Sequence, residues 1–136
     1  MANNNLIEEY KECNSNLRHY SNMRFAELTL FFAINAGLLS VLSDNQSSLD
    51  QLIEFLLRVL GILISILFAV MNDRRVALWV SLKERAVEIE NQLELEQYQK
   101  RPKAKFLSNR NMAKAIYYLF ILFWSLFILR EHTCLL

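Results

Sequence analysis

The chain has 136 residues, a net charge of +1, 54% hydrophobic residues, two glycines and one proline. So few turn residues exclude a β-rich fold and favour a few long helices, and the near-neutral charge gives no global field for nucleic acid. The apolar fraction exceeds the roughly 45–50% of ordinary soluble domains, and two Cys and two His are too few for a structural zinc site of the usual spacing.

Residues 1–24 open with MANNNLIEEYKEC. No basic stretch precedes an apolar core there, so no cleavable signal peptide is expected. Apolar residues recur at Leu6, Tyr10, Cys13, Leu17 and Tyr20. That 4-3-4-3 spacing is a heptad seam on an amphipathic helix. Nothing up to Phe25 breaks the helix, so it is expected to continue into the next segment. A helix from Asn5 to Leu42 would be ~57 Å long at 1.5 Å per residue.

Residues 25–43 carry one charge, Glu27, and have the length and composition of a membrane-spanning helix. Thr29, Ala33 and Gly37 form a small-residue stripe at i, i+4, i+8, of the kind that lets helices approach closely in lipid. Asn35 lies near the middle of the span, about 200° around the helix from Gly37. It is a candidate either for a hydrogen bond between helices or for the lining of a pore. Residues 44–51 form a short polar loop. Its Asn45-Gln46-Ser47 sequon is read as chance.

Residues 52–71 form a second apolar block, with Glu54 and Arg58 in its first half. The two are one turn apart in the order that favours an i,i+4 pair. They are candidates to snorkel to the interface, to bridge subunits or to line a vestibule. Gly61, Ser65 and Ala69 repeat the small-residue spacing. Glu27 at the start of the first span and Arg74 and Arg75 after the second are expected to pair.

Residues 72–111 hold a second amphipathic helix and a basic linker. The seam reappears at Trp79, Leu82, Ala86, Ile89 and Leu93. Lys83, Glu84, Arg85, Glu88, Glu90, Glu94 and Glu96 make up its polar side. One amphipathic helix runs towards the membrane and the other away from it, so they are expected to pack antiparallel as a stalk or ring. The seams serve either packing within one chain or contacts between subunits. Pro102 is expected to stop the helix. Lys100, Arg101, Lys103, Lys105, Arg110 and Lys114 follow with no acidic residue among them, a basic patch suited to a membrane surface. Residues 112–129 form a third span, rich in Tyr117, Tyr118, Phe120, Phe123, Trp124 and Phe127. It is expected to face lipid and to lie at the periphery. Residues 130–136 are a short tail.

The 44–51 loop has no Lys or Arg, whereas residues 72–111 have nine. The positive-inside rule then places the N-terminus and residues 72–111 in the cytoplasm, and the first loop and the C-terminal tail outside. Cys13 and Cys134 stand alone and are read as inert thiols. Catalysis is not expected: there is no HExxH, phosphate loop or GxSxG, and His19 and His132 fall on opposite sides of the membrane. No cofactor is expected either.

The layout YKECNSNLRHYSNMRFAELTLFFAINAGLLSVL, a short loop, a second span, the charged helix MNDRRVALWVSLKERAVEIENQL and a last span after a basic linker resembles the RipA-type small octameric membrane proteins of bacteria. More remotely it is similar to the membrane accessory proteins of RNA-targeting CRISPR systems. The first resemblance implies a homo-oligomeric ring in the cytoplasmic membrane. The second implies a pore that depolarises the membrane in anti-phage defence. The alternative is a non-conducting scaffold that binds a soluble cytoplasmic partner through its stalk helices. The expected partners are the protein itself and the lipid bilayer, with a cytoplasmic protein as a further candidate and nucleic acid not expected.

Overall fold

The computed structural model describes the backbone of residues 2–44, 50–100 and 109–134, and the side chains of 4–43, 50–100 and 111–130. Among the described residues, three helices make up the fold: α1 over Ala2–Asp44, α2 over Gln51–Leu93 and α3 over Asn109–Cys134. Each is long and apolar enough over part of its length to cross a membrane. The amphipathic segments run into the apolar ones without a break, as expected, so α1 and α2 are each one unbroken helix of 43 residues. At 1.5 Å per residue that is about 65 Å, twice the ~30 Å of a bilayer's hydrocarbon core. The surplus forms a stalk.

α1 and α2 are an antiparallel hairpin, and α3 packs antiparallel on α2. The register is fixed by Tyr10 against Glu90, Glu27 against Arg75 and Lys114 against Asp73. Two cores follow from it. In the stalk the two predicted seams face each other: Tyr10, Cys13, Leu17, Ala86 and Ile89 are buried together, with Leu6, Trp79, Leu82 and Leu93 packed around them. In the apolar part, Phe31, Phe68, Ala69, Ala113 and Tyr117 form the second core. Phe31 is fully buried and meets Phe68, Tyr117 and Phe120 at ring-centroid distances of 4.9–5.3 Å.

Two expectations are corrected here. The third span is not merely a lipid-facing helix, because Tyr117 and Trp124 are among the most buried side chains of the protein. Its buried and half-buried positions Ala113, Tyr117, Phe120, Trp124 and Phe127 repeat the 4-3-4-3 seam, while Tyr118, Leu119, Leu122 and Leu126 face outward. Nor does α2 run on to Pro102. It ends at Leu93, with Glu94 in the left-handed conformation at φ 56° and its N–H bonded to the Glu90 carbonyl. That conformation costs a non-glycine residue about 1–2 kcal/mol. The hydrogen bonds that Glu90 makes beyond the helix end offset it. The 45–49 part of the loop, with its sequon, lies outside the described residues, as do Arg101, Lys103 and Lys105. The side chains of Arg110, His132 and Cys134 are likewise outside them.

Candidate helix-locking site

At the middle of the apolar part, three helices meet through three residues. Gly61 on α2 has no Cβ, and the Trp124 indole of α3 fills that space: a Cβ built at Gly61 would lie 2.4 Å from the ring. The same indole donates its N–H to Asn35 Oδ1 on α1 at 2.8 Å. The Asn35 amide in turn donates to the Phe31 carbonyl at 2.8 Å. Asn35 is 1% exposed and Trp124 is fully buried. In hydrocarbon an amide without partners is costly. Here both its donor and its acceptor side are used inside one protomer, which places Asn35 between helices and not in a cavity.

The two small-residue stripes have different fates. Gly61, Ser65 and Ala69 are buried, and the Ser65 hydroxyl donates to the Gly61 carbonyl at 2.8 Å. Thr29, Ala33 and Gly37 are exposed. A Cβ at Gly37 would meet nothing within 4 Å, and the Thr29 hydroxyl is satisfied by the Phe25 carbonyl at 3.0 Å.

Near the far end, Arg58 is buried at 5% exposure beside α3. It pairs with Glu54 at 3.0 Å, and its guanidinium lies 4.9 Å from the centroid of the Phe127 ring. This geometry neutralises the charge within the protomer and stacks the cation on an aromatic face. Where the apolar part meets the stalk, Glu27 pairs with Arg75 while Arg74 is exposed. Lys114 of the basic patch pairs with Asp73 at 2.9 Å, and Lys100 pairs with Glu96.

Sequence reasoning missed the stalk's own polar centre. Glu90, read there as part of the solvated face, is fully buried. Its carboxylate accepts from the Tyr10 hydroxyl at 2.6 Å and from the Tyr98 N–H at 3.0 and 3.1 Å. Tyr98, itself buried, donates its hydroxyl to Asn14. The chain after α2 is thereby folded back onto the hairpin. Burial, then donation to Glu90, pushes the Tyr10 hydroxyl up to about 12. Burial also raises the Cys13 thiol above its ordinary value, which disfavours the reactive thiolate. The signal for Glu90 was its place four residues after Ala86 and one after Ile89, at the edge of the seam.

The arrangement is a set of internal fasteners, with apolar faces left for lipid or for other subunits. Comparison with curated proteins and with solved structures gives no match. A family model described as "Octameric membrane protein family (8xMP)" matches residues 7–133, nearly the whole of the three-helix unit. By that match, and with three helices able to cross a membrane, the chain belongs to the octameric membrane protein family.

Proposed function

We propose that the protein acts as a ring of identical subunits in the bacterial cytoplasmic membrane, with α1 turned towards neighbouring subunits and the ring axis, and that the ring forms a pore. The observation that carries this reading is the asymmetry of the outward faces. On α2 the exposed residues are bulky, including Leu56, Leu60, Leu63 and Leu67, and α3 exposes Leu119, Leu122, Phe123 and Leu126. On α1 the exposed set includes Thr29, Ala33, Ala36, Gly37 and Ser40. Bulky aliphatic faces suit lipid, and a face of small residues suits the close approach of another helix. The stalk would lie in the cytoplasm under the positive-inside rule. It would be the part that receives a signal, and the resemblance to CRISPR-linked membrane proteins would make that signal part of anti-phage defence.

Disulfide cross-linking tests the assembly. With Cys13 and Cys134 replaced, Ala33→Cys should give covalent dimers in membranes, whereas Leu63→Cys should not. Single-channel recording on the purified protein in planar bilayers tests conduction. Discrete openings that change when Gly37 becomes Leu are the expected result, and a silent, well-assembled oligomer overturns the pore.

One observation favours a second reading, the non-conducting scaffold. Asn35, the central polar group of the first span, is occupied by Trp124 and Phe31, and α1 has no other polar side chain between Thr29 and Ser40 to wet a bore at that depth. Under this reading the membrane potential of expressing cells stays intact. Loss of function then tracks substitutions on the outer faces of the stalk, not those on α1 between residues 29 and 40.

A further inference from the structure

We propose that the foot of the stalk holds a binding site for the phosphate-bearing headgroup of an anionic phospholipid. A cleft of about 190 Å³ opens there between α1, α2 and the segment that folds back after α2, lined by Leu17, Arg18, Ser21, Asn22, Trp79 and Tyr98. Its chemistry selects for an anion. Arg18, Ser21 and Asn22 are exposed donors, none of the six residues is acidic, and the Lys83 ammonium lies 5.8 Å from the centroid of the Trp79 ring. Both aromatic walls are placed by other contacts, Trp79 by the stalk core and Tyr98 by Glu90 and Asn14.

The height of the cleft argues for a lipid. The apolar surface of α1 begins at Phe25, which is 67% exposed. At 1.5 Å per residue, Asn22 then stands about 4–5 Å above that edge and Arg18 about 10 Å above it. The headgroup layer adds roughly 5–8 Å beyond the hydrocarbon on each side. Ser21 and Asn22 therefore sit within the headgroup layer. Arg18 stands just above it, its Nε donating to the Asn14 carbonyl at 3.4 Å, and its long side chain reaches a phosphate by exchanging that exposed contact for one nearer the membrane. A Trp side chain such as Trp79 is favoured in the same layer, while Tyr98, held at Asn14 and Glu90, closes the cleft from above. Just below, Arg24, Arg74, Arg75 and Lys114 outnumber Glu27 and Asp73, so the surroundings also favour an anionic over a zwitterionic lipid. The proposal is independent of whether the ring conducts.

The full-length protein, purified in a mild detergent and supplied with equimolar phosphatidylglycerol and phosphatidylcholine, should retain phosphatidylglycerol in native mass spectrometry. Arg18→Gln and Asn22→Asp should each reduce the retained phosphatidylglycerol by at least fivefold. Lys11→Gln, an exposed charge near the other end of the stalk, should not. Asn22 is exposed, so its variant leaves the packed seam untouched, and circular dichroism should show unchanged helicity. Glycerol 3-phosphate at millimolar concentration should not displace the lipid. Equal retention of phosphatidylcholine, equal retention by the Arg18 and Asn22 variants, or complete displacement by glycerol 3-phosphate would each overturn the proposal. The last of these would reassign the cleft to a soluble phosphate ester.

Discussion

In the stalk, α1 and α2 meet through a seam of Tyr10, Cys13, Leu17, Ala86 and Ile89 with one buried carboxylate, Glu90. In the apolar part the same two helices meet through Phe31, Phe68 and Ala69, and a third helix adds Trp124, whose indole bonds the buried amide of Asn35. The stalk is bathed in water, so withdrawing apolar surface drives its closure, at roughly 25 cal/mol per Å². That drive is missing in lipid, where tails are as apolar as side chains and helices associate through close packing and hydrogen bonds. Shape should therefore matter most in the membrane part, and polar satisfaction in both.

The largest effect should come from breaking the shape term. Gly61→Leu places a side chain where the Trp124 ring already lies. Overpacking of this kind typically costs 1–3 kcal/mol and occasionally more; about 3 kcal/mol is expected here, because the displaced ring also drops its bond to Asn35. Thermal unfolding in detergent should show it. Gly37→Leu is the paired control: with open space at its Cβ position, it should leave protomer stability unchanged and act only on assembly.

Next comes the stalk's polar centre. Glu90→Leu strands the Tyr98 N–H inside the seam and leaves the Tyr10 hydroxyl only its longer contact with Gln97 Oε1 at 3.2 Å, at a cost of about 2 kcal/mol. Trp79 fluorescence, from a ring in the same core, would report the earlier melting of the stalk. The pH dependence has a defined sign. Tyr10 in the unfolded chain loses its proton near the ordinary value of about 10, while in the folded stalk it holds the proton up to about 12. The stabilisation is complete below the lower value and falls as pH rises through that window. Tyr10→Phe should flatten the stability of the stalk between those two pH values.

A smaller effect, about 1 kcal/mol, is expected from the Asn35–Trp124 bond. Interhelical hydrogen bonds in membranes are modest because the unfolded state also finds partners. Trp124→Phe leaves the Asn35 oxygen unmatched, and Asn35→Leu leaves the indole N–H unmatched. Changing both removes the mismatch, so the double variant should lose less than the sum of the singles.

How far these features could be read in the chain differs between the two regions. The stalk seams were legible because water enforces a polar–apolar pattern, and Leu6 to Leu17 and Trp79 to Ile89 carry it in their spacing. In the spans almost every side chain is apolar, so hydropathy locates α3 but hides which of its faces packs. The clue was periodicity among the aromatics, since Ala113, Tyr117, Phe120, Trp124 and Phe127 follow the same 4-3-4-3 rule as the stalk. The equal-looking stripes on α1 and α2 could not be ranked from spacing. Gly61 differs from Gly37 only because Trp124, more than sixty residues later, comes to rest on it. Glu90 was hidden for the complementary reason: a Glu beside other Glu residues reads as surface until the partners that the fold brings to it, Tyr10 and Tyr98, are known.

The smallest effect belongs to a pair that looks like its stronger counterpart on paper. Arg85 bridges Glu9 at 2.8 Å across the stalk, but both side chains are more than 40% exposed. Water and salt screen such a pair, and holding two long side chains in one geometry consumes what is left. Glu27 and Arg75 join the same two helices, but their side chains are only 14% and 16% exposed, at the boundary where the stalk enters the apolar part. Removing one partner there leaves a poorly hydrated charge. Glu9→Gln should therefore leave the melting of the stalk unchanged at any salt concentration, while Glu27→Gln lowers thermal stability measurably. The two variants measured side by side test whether solvent, and not the identity of the paired groups, sets their strength. If Glu9→Gln proved as damaging as Glu27→Gln, the outer face of the stalk would have to be covered in the assembled ring. The seam between α1 and α2 would then be only part of the stalk's packing, with the rest supplied by the neighbouring subunit.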